Sequence, residues 1–144
     1  MVATHLDLYS LTYTSQAARG LEAKDVDEIH RAALTYNPLD GVTGILLFNG
    51  EAFMQIIEGA ETAIDDLFER LLKDPRHHSV ELRDRRKIEK RFFPQWSMYR
   101  LDIPNSLEES RASLENDIAK RVDPHLRNVV DQSLAAISKP AATD

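Results

Sequence analysis

Residues 53–59 read Phe53-Met54-Gln55-Ile56-Ile57-Glu58-Gly59, an apolar strand with one amide at a core position. Side chains on a strand alternate with a period of two, so Gln55 shares a face with Phe53 and Ile57. A glutamine amide carries two N–H donors and a carbonyl acceptor, and burying such groups unbonded costs about 1–3 kcal/mol each. The stretch therefore predicts a partner for Gln55 inside the fold. Upstream, Val42 to Phe48 reads as another strand, and Asn49-Gly50 between the two is a strong hairpin signal. The fold is built outward from this hairpin.

Ahead of it, Val26, Ile29, Ala33 and Tyr36 fall at i, i+3, i+7 and i+10, which predicts a helix over about 23–36. Asn37 precedes Pro38 and is pushed out of the helical region, so the helix is expected to stop there and present the Asn37 amide. Earlier still, residues 5–15 are rich in Tyr, Thr and Leu and read as a first strand, with Tyr9, Leu11 and Tyr13 on one face. Downstream, Ile64, Leu67, Phe68, Leu71 and Leu72 form the apolar face of a second helix from about Glu61 to Pro75. Thr62 and Asp65 resemble a capping box. A strand through Val80, Leu82 and Ile88 follows, and a fifth from Pro94 to Leu101 would place Trp96, Met98 and Arg100 on one face.

The order β-α-β-β-α-β-β predicts an α+β, ferredoxin-like sandwich with two helices on one face of a five-stranded mixed sheet. In that arrangement the first and third strands are neighbours, which brings Tyr13 within reach of Gln55. Two further helices, with Leu107, Leu114 and Ile118 and then Leu126, Val129, Val130, Leu134 and Ile137 as apolar points, need a surface to cover. The helix-free face of the sheet or a second copy of the chain would supply it. The expected division is 1–103 for the core domain, 104–138 for a helical extension and 139–144 for a flexible tail.

Composition narrows the function. With 144 residues and 42% hydrophobic content, the chain is long enough for a sizeable core. A net charge of −6 argues against nucleic acid or anionic membrane as a general partner. Cysteine is absent, which excludes disulfides and thiolate chemistry. No apolar run reaches membrane length and no leader pattern opens the chain, so a cytoplasmic location is expected. A basic run from Arg83 to Arg91 reads as a solvated hairpin, since no aromatic platform for RNA is interleaved with it. Adjacent His77 and His78 point apart and lack a third ligand, so no metal site is expected.

A Tyr–Gln pair with an asparagine nearby is poor equipment for hydrolysis, because free tyrosine titrates near pH 10 and glutamine does not titrate. It suits a heteroaromatic ring that alternates donors and acceptors. At the end of the second helix Arg70, Lys73, Asp74, Arg76 and His77 gather donors that could hold a phosphate, or simply complement the helix dipole.

Taken in order, Leu11-Thr12-Tyr13-Thr14-Ser15, Asn37-Pro38-Leu39-Asp40-Gly41-Val42-Thr43-Gly44, Gly50 to Gly59, Asp74-Pro75-Arg76-His77-His78 and Phe93-Pro94-Gln95-Trp96-Ser97-Met98 resemble a BLUF domain, the blue-light sensor using flavin. The resemblance runs over about residues 6–101. It implies FAD, with FMN or riboflavin as substitutes, between the two helices. It also implies Tyr13 as electron and proton donor to the photoexcited ring. Gln55 would relay the proton and be left rotated or tautomerised, with a changed hydrogen bond that shifts the absorption to the red. Asn37, Arg70, Asp74, Arg76 and His77 match cofactor-binding positions, and Trp96 and Met98 match residues that exchange places near Gln55. Tyr36 departs from the polar or histidine side chain that some relatives carry. The resemblance implies a photoreceptor rather than an enzyme, signalling to a protein partner or through self-association. A small acylphosphatase-like hydrolase, which would need Arg19 in a phosphate-cradling loop, and a flavin-free interaction module are the alternatives.

Overall fold

The computed structural model describes residues 7–138, the side chains of 115–117 excepted; the expected tail at 139–144 lies outside them. Five strands and four helices follow in the order β1 (Leu8–Ala17), α1 (Ala23–Asp40), β2 (Thr43–Phe48), β3 (Ala52–Ala60), α2 (Glu61–Leu72), β4 (His77–Ile88), β5 (Tyr99–Asp102), α3 (Leu107–Asp117) and α4 (Pro124–Ile137). The sheet order is β4-β1-β3-β2-β5, antiparallel except for β2 with β5, and this is the expected α+β sandwich. In the β1–β3 register Tyr13 stands directly opposite Gln55.

Period-two alternation divides the core into two layers. Leu11, Tyr13, Leu46, Phe53 and Ile57 face α1 and α2. Ile45, Leu47, Met54 and Ile56 face the other way and meet Leu114, Ile118, Leu126, Val130 and Leu134 of the C-terminal helices. Residues 104–138 thus cover the free face of the sheet and complete its second core. Between strands the packing is close. A Cβ on Gly44 would lie 2.0 Å from the Ile56 carbonyl oxygen, so no other residue fits there.

At both ends α4 is tied to the sheet. Its N-cap Asp123 accepts from Arg86 at 2.7 Å, His125 lies 3.0 Å from Asp84, and Asn49 of the β2–β3 turn donates to the Ile137 carbonyl at 2.9 Å. Beneath it the boundary is partly polar. Ser10 and Thr12 of β1 and Ser133 of α4 are fully buried, and their hydroxyls make no hydrogen bond among the described residues.

Several local expectations are corrected. α1 runs through Pro38 to Asp40 and stops at Gly41, which adopts φ 68° and donates to Asn37 and Pro38 carbonyls. A proline in the last turn forfeits a single donor, while Gly41 supplies the left-handed cap. Asn37 is therefore buried within the helix rather than exposed beyond it. No capping box opens α2: Ala60 is the N-cap without a side-chain bond, and Asp65 instead pairs with Arg85 at 2.9 Å. The fifth strand begins only at Tyr99, and residues 89–98 form bends and a turn.

The basic run is not a hairpin either. Arg83, Arg85, Arg86 and Lys87 lie on edge strand β4, where they pair with Glu81, Glu61 and Asp65, Asp123 and Asp7. Arg91, beyond the strand, donates to the Gly41 carbonyl at 2.7 Å. Such neutralised cations offer little to a polyanion.

Candidate functional site

A narrow cleft opens between α1 and α2, with the sheet as its floor. Ile29, Leu46, Phe53 and Leu71 give it apolar walls, Tyr13 lies at the floor, and Asp74, Arg76 and His77 stand at one end. Tyr13 is 2% exposed and Gln55 5%. The Tyr13 hydroxyl donates to Gln55 Oε1 at 2.5 Å, and Gln55 Nε2 points at the Met98 sulfur, 3.6 Å away. Both ends of the buried amide thus have partners, one strong and one weak. Burial, with the charge of Asp74 second, pushes the Tyr13 phenol well above its ordinary range, so it remains a donor at neutral pH.

At the polar end the groups are already engaged with one another. Arg76 holds Asp74 through Nε and Nη2 at 2.7–3.2 Å. Burial alone would raise the Asp74 pKa, but the Arg76 bonds and charge outweigh it and hold the carboxyl below its usual range. His77 Nδ1 meets the Ser15 hydroxyl at 2.8 Å, and its Nε2 meets the Leu71 carbonyl. Phe68 and His77 flank the Tyr13 ring at 5.7 and 6.0 Å between centroids. Arg70 is not in this group: it is exposed and lies 3.7 Å from Asp40, on the outer rim. Asn37 donates from Nδ2 to the Ser97 carbonyl at 2.8 Å. Tyr36 and Arg19 are exposed.

Trp96 and Met98 do not share a face. Met98 packs with Tyr13, Leu46 and Phe53 on the cleft side. Trp96 lies on the opposite side of the sheet, stacked on Tyr99 at 4.3 Å with the Arg121 guanidinium over its ring at 4.3 Å. The segment leading into them is pinned by Glu58, a fully buried carboxylate that accepts from Phe92 N at 2.9 Å and Phe93 N at 2.8 Å. Neither Glu58 nor His30, whose Nε2 lies 2.9 Å from the Met98 carbonyl, was singled out by residue type. His30 could have been found by its spacing, since it sits seven residues before Asn37 on the same helix face. Glu58 sits within an apolar run and gives no such signal. Among the described residues, no group of three or more His, Asp or Glu could hold a metal, and no helix is long and apolar enough to cross a membrane.

A sequence profile for the family described as sensors of blue-light using FAD, abbreviated BLUF, matches residues 8–99. The chain belongs to the BLUF family. Its curated relatives include a photoactivated adenylate cyclase subunit beta of Euglena gracilis, 30% identical over 132 residues, covering 83% of this chain and 15% of the cyclase subunit. The BLUF chain here therefore spans only a small part of that relative. Among solved structures, the BLUF protein BlrB in its dark state is 36% identical with a TM-score of 0.69, covering 92% of this chain and 98% of BlrB. BlrP1 of Klebsiella pneumoniae, solved with FMN and cyclic diGMP, is 35% identical with a TM-score of 0.72, covering 89% of this chain and 34% of BlrP1.

The BLUF cleft fits a flavin on its own residues. Its apolar walls suit a flat aromatic system, and the phenol at its floor, with the Gln55 amide hydrogen-bonded to it, suits a ring edge that carries both donors and acceptors.

Proposed function

We propose that the chain is a blue-light receptor whose switch is the pair Tyr13 and Gln55. A single observation carries the reading: the phenol at the floor of the apolar cleft, kept protonated by burial, donates to a buried amide beside it. A bound flavin would supply absorption of blue light and an excited ring able to accept an electron. Tyr13 holds the transferable proton on its hydroxyl. Gln55 is the acceptor of that proton's hydrogen bond, and its amide can turn over to exchange donor and acceptor. Met98 loses its N–H contact when the amide turns, and the pinned segment 92–98 passes the change to Trp96 and β5.

Asn37, Asp74, Arg76 and His77 are assigned to holding the flavin, with Arg70 at the outer rim. FAD is favoured by the family description, and FMN is supported by the BlrP1 complex; riboflavin is a third candidate. No enzymatic step is assigned to the cleft, because Asp74 is engaged by Arg76 and both nitrogens of His77 have partners. Residues 1–103 are read as the sensor and 104–138 as the cap through which a protein partner, or a second copy, receives the signal in the cytoplasm. Nucleic acid and membrane are not assigned as partners.

The test is an absorption spectrum of the purified protein before and after blue light. A yellow protein with a small, reversible red shift supports the reading. A colourless protein that takes up no flavin would sink it, and flavin without the shift would remove sensing while leaving binding.

A further inference from the structure

Two side chains of α1 reach the segment that carries Met98. Asn37 Nδ2 donates to the Ser97 carbonyl, and His30 Nε2 lies 2.9 Å from the Met98 carbonyl. A carbonyl oxygen can only accept, so this contact needs the proton on Nε2 and His30 is the donor. Residues 89–98 belong to no helix or strand, and discrete side-chain and turn bonds set their position. Among these, the His30 bond acts on the residue whose sulfur meets the Gln55 amide.

We propose that His30 is a positioning residue for the switch, holding the Met98 backbone so that its sulfur stays against Gln55 Nε2. A thioether is a weak acceptor on a chain with three rotatable bonds, so a 3.6 Å contact cannot fix itself. Its backbone must be held for it. The neighbouring residue on α1, Ile29, lines the cleft, so the helical turn that walls the cleft also grips Met98. Anything seated against Ile29 bears on the Met98 carbonyl through one rigid turn of helix. The photochemical consequence rests on the assignment of Tyr13 and Gln55 as the switch, while the His30–Met98 contact lies wholly within the protein.

The chain has three methionines, which makes methyl NMR of the full-length, methionine-labelled protein in the dark a direct readout. Met54, on the opposite face of the sheet, is the internal control. In His30→Phe, which keeps a ring and loses the donor, the Met98 methyl signal is expected to shift or broaden while Met54 stays put. His30→Gln, which restores a donor, should bring it back toward the native position. In the flavin-loaded protein His30→Phe should change the dark-recovery rate by about three- to tenfold, the range an ordinary hydrogen bond commands. A Met98 signal in His30→Phe identical to the native one overturns the inference. Should that variant not fold, His30→Ala on this partly exposed helix position makes the same comparison, with the same overturning result. A native protein without a red shift, whose Met98 signal still responds to His30, would sink the photoreceptor reading and leave the positioning role standing.

Discussion

Gln55 stands between a phenol that only donates to it and a sulfur that only accepts from it. Turning the amide would aim its carbonyl at a sulfur that cannot donate and oblige the phenol to swing its proton away, so the orientation is set by its neighbours and reset when one of them changes. Tyr13→Phe and Gln55→Leu should therefore each retain flavin and lose the light-induced red shift, as absorption difference spectra would show; a normal shift in either variant refutes the assigned roles. Burial of Tyr13 has a second measurable effect. Its folded-state pKa lies above that of an unfolded tyrosine, near 10. Below pH 10 both states keep the proton and the phenol adds no pH dependence. Above it the unfolded chain loses a proton that the folded chain keeps, so stability falls by about 1.4 kcal/mol per pH unit. Denaturation midpoints of Tyr13→Phe should fall less steeply than the native ones between about pH 10 and 11. Gln55 was legible in the sequence because alternation forces a buried face on it. Asn37 was misplaced because the rule for residues before proline is statistical, and here a partly buried bond to Ser97 together with the Gly41 cap holds the helix past it. His30 carried its signal only in a spacing that gains meaning once the position of Met98 is known.

Among the elements, the least regular segment is the most closely tied. Glu58 on β3 takes two backbone N–H groups from Phe92 and Phe93 and the Thr43 hydroxyl, which joins β3, β2 and the 89–98 segment at one carboxylate. Glu58→Gln replaces one acceptor oxygen with a donor that faces further donors. Urea denaturation should show a loss of about 2–4 kcal/mol, since bonds to a charged acceptor are worth about 1.5–3 kcal/mol each and part of the set survives. A loss below about 0.5 kcal/mol would show that the carboxylate does not anchor the segment. Four strands and both flanking helices were legible from periodicity, because each has one buried face. The fifth strand was overextended: Trp96 and Met98 alternate in the sequence as strand residues do, but the chain turns at Pro94 and sends them to opposite faces of the sheet. Periodicity cannot see a turn anchored at Phe93 by a carboxylate 35 residues away. The Thr62–Asp65 capping box failed for a related reason, as Arg85 across the sheet edge claims Asp65.

At the scale of the molecule, the sequence left two surfaces for the C-terminal helices, and the structure seats them on the sheet. Apolar spacing showed that α3 and α4 need cover without showing where, because a stripe of Leu and Val has no address. Cutting the chain after residue 103 should expose Ile45, Leu47, Met54 and Ile56 together. Contiguous apolar faces of that kind drive association, so size-exclusion chromatography should find the shortened protein aggregated; a well-behaved monomer would show that the helices are dispensable to the fold. The seat is not uniformly apolar, however. Thr12 keeps a hydroxyl buried without a partner among the described residues, so Thr12→Val should raise stability by about 0.5–2 kcal/mol in thermal melts.

The unbonded hydroxyls of Ser10, Thr12 and Ser133 also decide how α4 comes away from the sheet. Along β3 the helix meets hydrocarbon; along β1 it also rests on groups that water would solvate better than the protein does, with the β4 ion pairs outside them. Water that passes the Arg86–Asp123 and Asp84–His125 pairs is rewarded once it reaches these hydroxyls, so the helix peels from that edge at a free energy below that of global unfolding. Hydrogen exchange should find the α4 amides opening ahead of those of β3. The cap is thus a hinged part of the core, with its hinge line along β3 and the Asn49 turn.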